Sequence, residues 1–366
     1  MNLSKELVKD GFEVEWVGMR MPNTKKVEVN EDGVTLRRIT VPFNQRRLFC
    51  FMPKLLDIVK DADVVQWNGF VSAITGGFIS KLKNKACVGL SHEMFVDKWK
   101  KLTNNKIEQI VYPEIEKIIA KNPYDAWIVP CDYTKNTLIS LGVSSEIIKK
   151  IPHGIDHELF HPMYGLFREK YELWDRFVIL YCGRFGFSGT CYSKNQKVLF
   201  DAFKKVKERI PNSTLLMVGM DFDKVSPYIQ SLGLEIGRDV IYDGKIPKED
   251  LPIFYSSGDV FVSSSKSEGF GFTLVEAQAC GTPIVAFPNG SIPEVVANNK
   301  SGKLVKRQTD SGLAKGIEEL YKYPQLRRKM STFGLNWVKQ FNWRKSAKEH
   351  EKLYEDVYIW HKINKG

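Results

Sequence analysis

The chain lacks what several large protein classes require. No uninterrupted apolar run is long enough to span the hydrocarbon core of a bilayer, so no transmembrane helix is expected. Its six cysteines form no Cys-x-x-Cys pair, which removes the common zinc and dithiol motifs. Several of them sit in apolar runs such as KACVGL and ILYCG, and they read as buried free thiols in a reducing compartment. There is no Walker loop and no Gly-x-Ser-x-Gly elbow. There is also no helix-turn-helix, zinc-finger or RNA-recognition signature, so nucleic acid is not an expected partner. Repeats of solenoid period and low-complexity tracts are absent too. The opening residues, MNLSKELVKDGFEVEWVG, carry acids and lack the apolar stretch of a secretory signal, which makes the expected location cytoplasmic.

What is present is a globular composition with a basic balance. Hydrophobic residues make up 43% of 366, enough for two domains with a core each. The formal net charge of +11 calls for an anionic partner: a phosphorylated small molecule or an anionic membrane surface. The stretch DKWKKLTNNK, from Asp97 to Lys106, concentrates lysines around Trp99 and suits a peripheral contact with lipid headgroups.

Strands alternate with amphipathic stretches along the chain, which argues for parallel α/β sheets. EVEWVG, ADVVQWNG, KACVGLSHE and DAWIVPCD read as buried strands of a first half, with helices over Ser4 to Asp10, Phe70 to Leu82 and Ile107 to Ala120. After IPHGIDHELFHP a second set begins: FVILYCGR, TLLMVG, VIYDG, VFVSSS and TPIVAF. Its expected helices run over Asn195 to Glu208, Lys248 to Ser256, Leu274 to Cys280 and Ser311 to Tyr321. The expected domains are 1–162, rejoined by a C-terminal helix at 343–362, and 163–342. A ligand cleft is expected between them.

Candidate site residues fall at the ends of the expected strands, where ligand sites of such sheets lie. In SEGFGFTLVEAQACGTPIVAF, Glu268 and Glu276 flank a Gly-x-Gly turn that opens a helix. Gly269 and Gly271 let backbone N–H groups approach a ligand, and the helix start near Thr273 favours phosphate. The two carboxylates fit sugar hydroxyls flanking that phosphate. A structural alternative is a capping box, Thr273 with Glu276. In CGRFGFSGTCYSKNQ, Arg184 and Lys194 bracket a strand-to-helix loop and suit one diphosphate. His92 ends the strand of ACVGLSHE, and NGSIPEVV is a further loop before a helix. Asp61-Ala-Asp63 precedes a strand, and Asp221-Phe-Asp223 reads as a solvated turn, so no metal is expected.

In order along the chain, these segments resemble the retaining glycosyltransferases of family four, which have the two-Rossmann GT-B architecture. Glu268-GFGFTLV-Glu276 resembles that family's Glu, seven residues, Glu motif. GRFGFSGTCYSKNQKVLFDAF is similar to its Gly-Arg-loop-Lys segment, with Asn195 where glycine is common. LSHE, IPHGIDHELFHP and FNWRKSAKEHEKLYEDV match its sugar-side histidine, interdomain turn and closing helix. The resemblance implies a catalytic set of Arg184, Lys194, Glu268 and His92. It implies donor contacts from Gly183, Ile246, Gly269, Phe270, Gly271, Phe272, Thr273 and Glu276. The implied substrates are a nucleotide-diphosphate sugar and a glycan or lipid-linked hydroxyl acceptor. Anomeric configuration would be retained, with no metal and no cofactor. One departure is that the chain opens on what resembles the family's first helix and second strand, so the first domain is expected to lack its first strand. Two rival readings stand beside this one: a non-catalytic nucleotide-sugar-binding subunit, and a sugar-nucleotide epimerase of the same architecture.

Overall fold

A computed structural model describes residues 2–40, 53–69 and 72–365 of the chain. Cys50 and the first two residues of the helix expected from Phe70 lie outside the described residues. The chain folds as two compact units. One draws on residues 1–96, 111–154 and 341–366, the other on 97–110 and 155–340.

The first unit holds two sheets. β1 (Glu15–Met19), β2 (Val27–Val29) and β3 (Thr35–Ile39) form one, in the order β1-β3-β2, with β1 parallel and β2 antiparallel to β3. β4 (Val64–Asn68), β5 (Ala86–Leu90), β6 (Ala126–Val129) and β7 (Ile148–Lys150) form the other in that order, all parallel. Side chains alternate between faces, as the pleat requires. Cys87, Trp127 and Val129 pack on one side with Trp67 and Leu138. Val88, Leu90 and Ile128 pack on the other with Val357, from the helix Trp343–Lys365. Burial on both faces explains the nearly continuous apolar runs of β5 and β6.

Two sequence expectations need correction here. EVEWVG and ADVVQWNG are strands, but they are not fully buried. Among the described residues, β1 and β4 each end a sheet, with a strand neighbour on one side only. Trp16 keeps 43% of its surface, and β4 is buried only at Trp67. The hairpin β2–β3 was not expected at all. Its TLRRI strand places Arg37 and Arg38 mid-strand, where they pair with Glu15 and Glu28 across neighbouring strands. A search for apolar runs passes over a strand held by cross-strand charge pairs.

The second unit is one six-stranded parallel sheet: β8 (Phe177–Arg184), β9 (Ser213–Met220), β10 (Val240–Tyr242), β11 (Val260–Ser263), β12 (Ile284–Ala286) and β13 (Gly302–Leu304). Its order is β10-β9-β8-β11-β12-β13. The chain therefore builds outward from β8 in one direction and from β11 in the other. Leu199, Phe200, Phe203 and Val206 recur at helical spacing along the helix Gln196–Arg209 and are all buried. They join Ile179, Leu215 and Met217 of β8 and β9 in the main core. The segment 97–110 belongs to this unit, and its short helix Trp99–Leu102 lies against the turn Gly189–Lys194.

Cys87, Cys131, Cys182, Cys191 and Cys280 are free thiols, and all but Cys182 are buried. Among the described residues, no helix is long and apolar enough to cross a membrane.

Candidate functional site

The direction of strand order reverses between β8 and β11, two central parallel strands of this sheet. Loops leaving adjacent strands there part to opposite sides of the sheet, which is where open α/β sheets bind ligands. β8 ends at Gly183 and Arg184, and β11 runs into the loop that carries Glu268.

The loop after β8 is fixed from within. The Gln196 amide donates to the Tyr181 hydroxyl at 2.8 Å and to the Arg184 carbonyl at 2.7 Å, while its oxygen accepts from Gly186 N–H. The loop closes in the turn Gly189–Lys194, and Asn195 takes a left-handed conformation at φ 53°. Asparagine tolerates that region better than other non-glycine residues, which accounts for its place at a position suited to glycine. The Ser264 hydroxyl reaches the carbonyls of Lys194 and Asn195 at 2.9 and 3.0 Å, tying this turn to the end of β11.

That tie brings Lys194 onto Glu268. The ammonium donates to both carboxylate oxygens, at 2.8 and 3.0 Å. The Ser265 hydroxyl donates to the same carboxylate at 2.6 Å, and Asn289 donates to the Ser265 carbonyl at 2.9 Å. Gly290, at φ 61°, lets its loop close over Glu268: a Cβ there would lie 2.3 Å from the Glu268 carbonyl oxygen. Ser291 N–H donates to that oxygen at 2.9 Å. NGSIPEVV thus supports the Glu268 loop through the Asn289 side chain and the Ser291 backbone.

Gly271 caps the helix Phe272–Ala279 at φ 85°, a backbone reserved in practice for glycine. The helix therefore starts one residue before Thr273, and no side chain caps it. That excludes the capping-box alternative, and Glu276 is engaged elsewhere. It accepts from the Tyr255 hydroxyl at 2.8 Å. Burial raises the Glu276 carboxyl above the usual range, against the lowering effects of Tyr255 and Lys248. Gly183 lies at the end of β8, and Phe270 and Gly271 lie in the loop after β11, with Phe270 buried and Phe272 exposed. Phe270 and Phe272 rings meet edge to face at 5.0 Å.

Arg184 is paired elsewhere than with Glu268. It lies at the end of β8, where its Nε meets Asp221 at 2.9 Å, and it stays more than half exposed. Asp221 also pairs with Lys224 at 3.3 Å, so this member of the Asp-Phe-Asp turn is held by cations. Ile246 lines a cavity of about 440 Å³ with Leu166, Phe167, Pro247, Ile253 and Lys170.

His92 belongs to the first unit, two residues beyond β5. Its Nδ1 lies 2.9 Å from His153 Nε2. Sequence reasoning passed over His153, Ser265, Gln196 and Tyr255. Each acts through a partner distant in the chain, and no local spacing marks such a residue.

Two family models match the chain: "Glycosyltransferase Family 4" over residues 1–159 and "Glycosyl transferases group 1" over residues 167–337. The GDP-mannose-dependent alpha-(1-6)-phosphatidylinositol monomannoside mannosyltransferase of Mycolicibacterium smegmatis is 28% identical over 228 residues, 58% of this chain. The match spans little more than half of that relative, 57% of its length. An uncharacterized glycosyltransferase of Methanocaldococcus jannaschii, MJ1069, is 25% identical over 96% of this chain and 92% of its own. Among solved structures, sucrose-phosphate synthase from Thermosynechococcus elongatus superposes with a TM-score of 0.82 at 25% identity, over 98% of this chain and 92% of that one.

Proposed function

The chain belongs to the group 1, family 4 glycosyltransferases with the GT-B fold, and from that premise we propose that it transfers a hexose from a nucleotide-diphosphate sugar to a hydroxyl acceptor with retention of configuration. The observation that carries this reading is the Lys194–Glu268–Ser265 network at the β8/β11 reversal. It offers an ammonium for a leaving phosphate and a carboxylate for sugar hydroxyls within one hydrogen-bonded cluster. The mannosyltransferase relative favours a nucleotide-bound hexose as donor and a lipid-linked acceptor.

In this reading Lys194 holds Glu268 before the donor arrives, and its three N–H groups allow it to keep that partner while reaching a phosphate oxygen. Arg184, the more exposed member of its ion pair with Asp221, turns onto the diphosphate. Charge developing on the leaving group then meets these two cations, so these residues assume the part a metal ion plays in other transferases. Backbone amides of Phe270 and Gly271 bind sugar or phosphate oxygens, supported by Gly183, Gly269, Phe272 and Thr273. Glu276 accepts from the ribose, and the backbone at Ile246 meets the base. His92 contacts the sugar. The proposed domains are 1–162 with 343–362, and 163–342. The place of action is the cytoplasmic side, with the lysines near Trp99 resting on anionic lipid.

The test is donor turnover in the presence of a metal chelator. Incubation with GDP-mannose or UDP-glucose should release free nucleoside diphosphate, slowly to water and faster with a hydroxyl acceptor. Tight donor binding with no release would favour the non-catalytic reading. An epimerised sugar nucleotide would favour the third.

A further inference from the structure

The exposed His92 imidazole is backed by a second, buried one. β5 and β7 are separated by β6, and both continue beyond their carboxyl ends: His92 lies two residues past Leu90, and His153 three residues past Lys150. Their rings meet across the end of β6, with centroids 5.0 Å apart and His92 Nδ1 at 2.9 Å from His153 Nε2. His92 Nε2 has no partner among the described residues, which leaves it as the nitrogen available to a ligand.

His153 is held far more firmly than its partner. It is 5% exposed, and its other side packs on Trp343 with ring centroids 5.9 Å apart. Gly154 locks the backbone behind it: a Cβ at that position would lie 2.2 Å from the Trp343 nitrogen. Burial, with the neighbouring His92 and His350, drives the His153 imidazole down to about 3, so it is neutral at physiological pH. A neutral imidazole facing another across this contact shares one proton between the two nitrogens that meet.

We propose that His153 is a positioning residue for His92. Its Nε2 hydrogen bond fixes which nitrogen of His92 carries the proton, and with it the hydrogen-bonding character of the Nε2 that His92 offers to the donor sugar. If His92 Nδ1–H donates inward, its Nε2 is a bare acceptor. If His153 Nε2–H donates outward, a neutral His92 carries the proton on Nε2 and is a donor there. The two tautomers are coupled across the contact, so whichever form His153 holds in its buried setting sets the form of His92. The proposal rests on the reading that His92 meets the sugar.

The experiment compares the full chain with His153→Phe, which keeps a ring against Trp343 and deletes the hydrogen bond, and with His153→Gln, which keeps a polar partner. Nitrogen-15 spectra of the ligand-free proteins should show His92 held in one tautomer in the parent and in His153→Gln. In His153→Phe it should relax toward a mixture. Turnover of GDP-mannose should fall about tenfold in His153→Phe, the scale of one lost hydrogen bond, with the donor KM within about twofold. Adding His153→Phe to His92→Ala should cost nothing more. An unchanged His92 spectrum in a folded His153→Phe protein overturns the proposal. So does a turnover loss in His153→Phe that adds fully to that of His92→Ala. If His153→Phe fails to fold, a parent spectrum showing a mixture of His92 tautomers overturns it as well. Should His92→Ala leave turnover untouched, the sugar-contact reading falls, while the spectra still decide whether His153 sets the tautomer.

Discussion

Lys194 and Glu276 are both charged groups of the proposed site, but their surroundings ask different things of them. Lys194 is partly exposed and has an acidic partner within the site, so its removal leaves the fold standing and strips a cation from the leaving group. Lys194→Ala should lower turnover by about 100- to 1,000-fold, the loss expected for one preorganised charge-stabilising donor, with little change in melting temperature. Steady-state kinetics alongside a thermal melt check this. Glu276 is a half-buried carboxylate whose folded pKa is raised by desolvation. Such a group favours folding when protonated, and that contribution is lost as pH rises through the folded pKa. Glu276→Gln should therefore hold or raise the neutral-pH stability of the ligand-free protein. It should also weaken donor binding by about 10- to 100-fold, the range for a hydrogen bond to a charged group. A stable Gln variant with an unchanged donor KM would remove Glu276 from the ribose.

At the scale of elements, the closing helix Trp343–Lys365 carries the acid sensitivity of the first unit. His350, fully buried on it, donates from Nδ1 to the Ser346 carbonyl, and burial lowers its imidazole to about 4. His153, packed on Trp343 of the same helix, is lowered to about 3. The unfolded chain protonates both near the ordinary histidine value of about 6.5. Below that pH the unfolded state binds more protons than the folded one, so stability falls with pH, by up to about 1.4 kcal/mol per pH unit for each such histidine. Denaturant titrations of the full chain between about pH 6.5 and pH 4 should show this slope, and His350→Phe should flatten it. The same scale shows why some elements escaped sequence reading. β2–β3 is held by cross-strand charge pairs, and β13 has only Leu304 as a large apolar residue. The expected helices over Phe70 to Leu82 and Lys248 to Ser256 each contain a separate one-turn segment, Ser72–Ile74 and Lys248–Asp250, before the regular helix. Periodicity does not resolve such a break.

At the scale of the whole molecule, two units with their own cores should not melt as one. Calorimetry is expected to show two transitions. A nucleoside diphosphate at about 100 times its dissociation constant should stabilise one of them by about 2.7 kcal/mol. For a unit of this size that is a rise of roughly 5–10 °C. If both transitions move together, the units are thermodynamically one. If neither moves with guanosine, uridine or adenosine diphosphate, the proposed donor class is wrong.

The amino-acid sequence by itself determined the class of fold and the segments from which the site is built. Apolar strand runs, helical spacing and the glycine loops are local properties of the chain, and each encodes its own backbone. Tertiary structure alone decided the pairings. Lys194 meets Glu268 because β8 and β11, remote in sequence, lie side by side at the reversal. Arg184 instead faces Asp221, because β8 also borders β9. His153 reaches His92 across β6 for the same reason. Hydrogen bonds and ion pairs act over about 3 Å of space whatever the separation along the chain, so partners are assigned by the order of strands in the sheet, which no local pattern records.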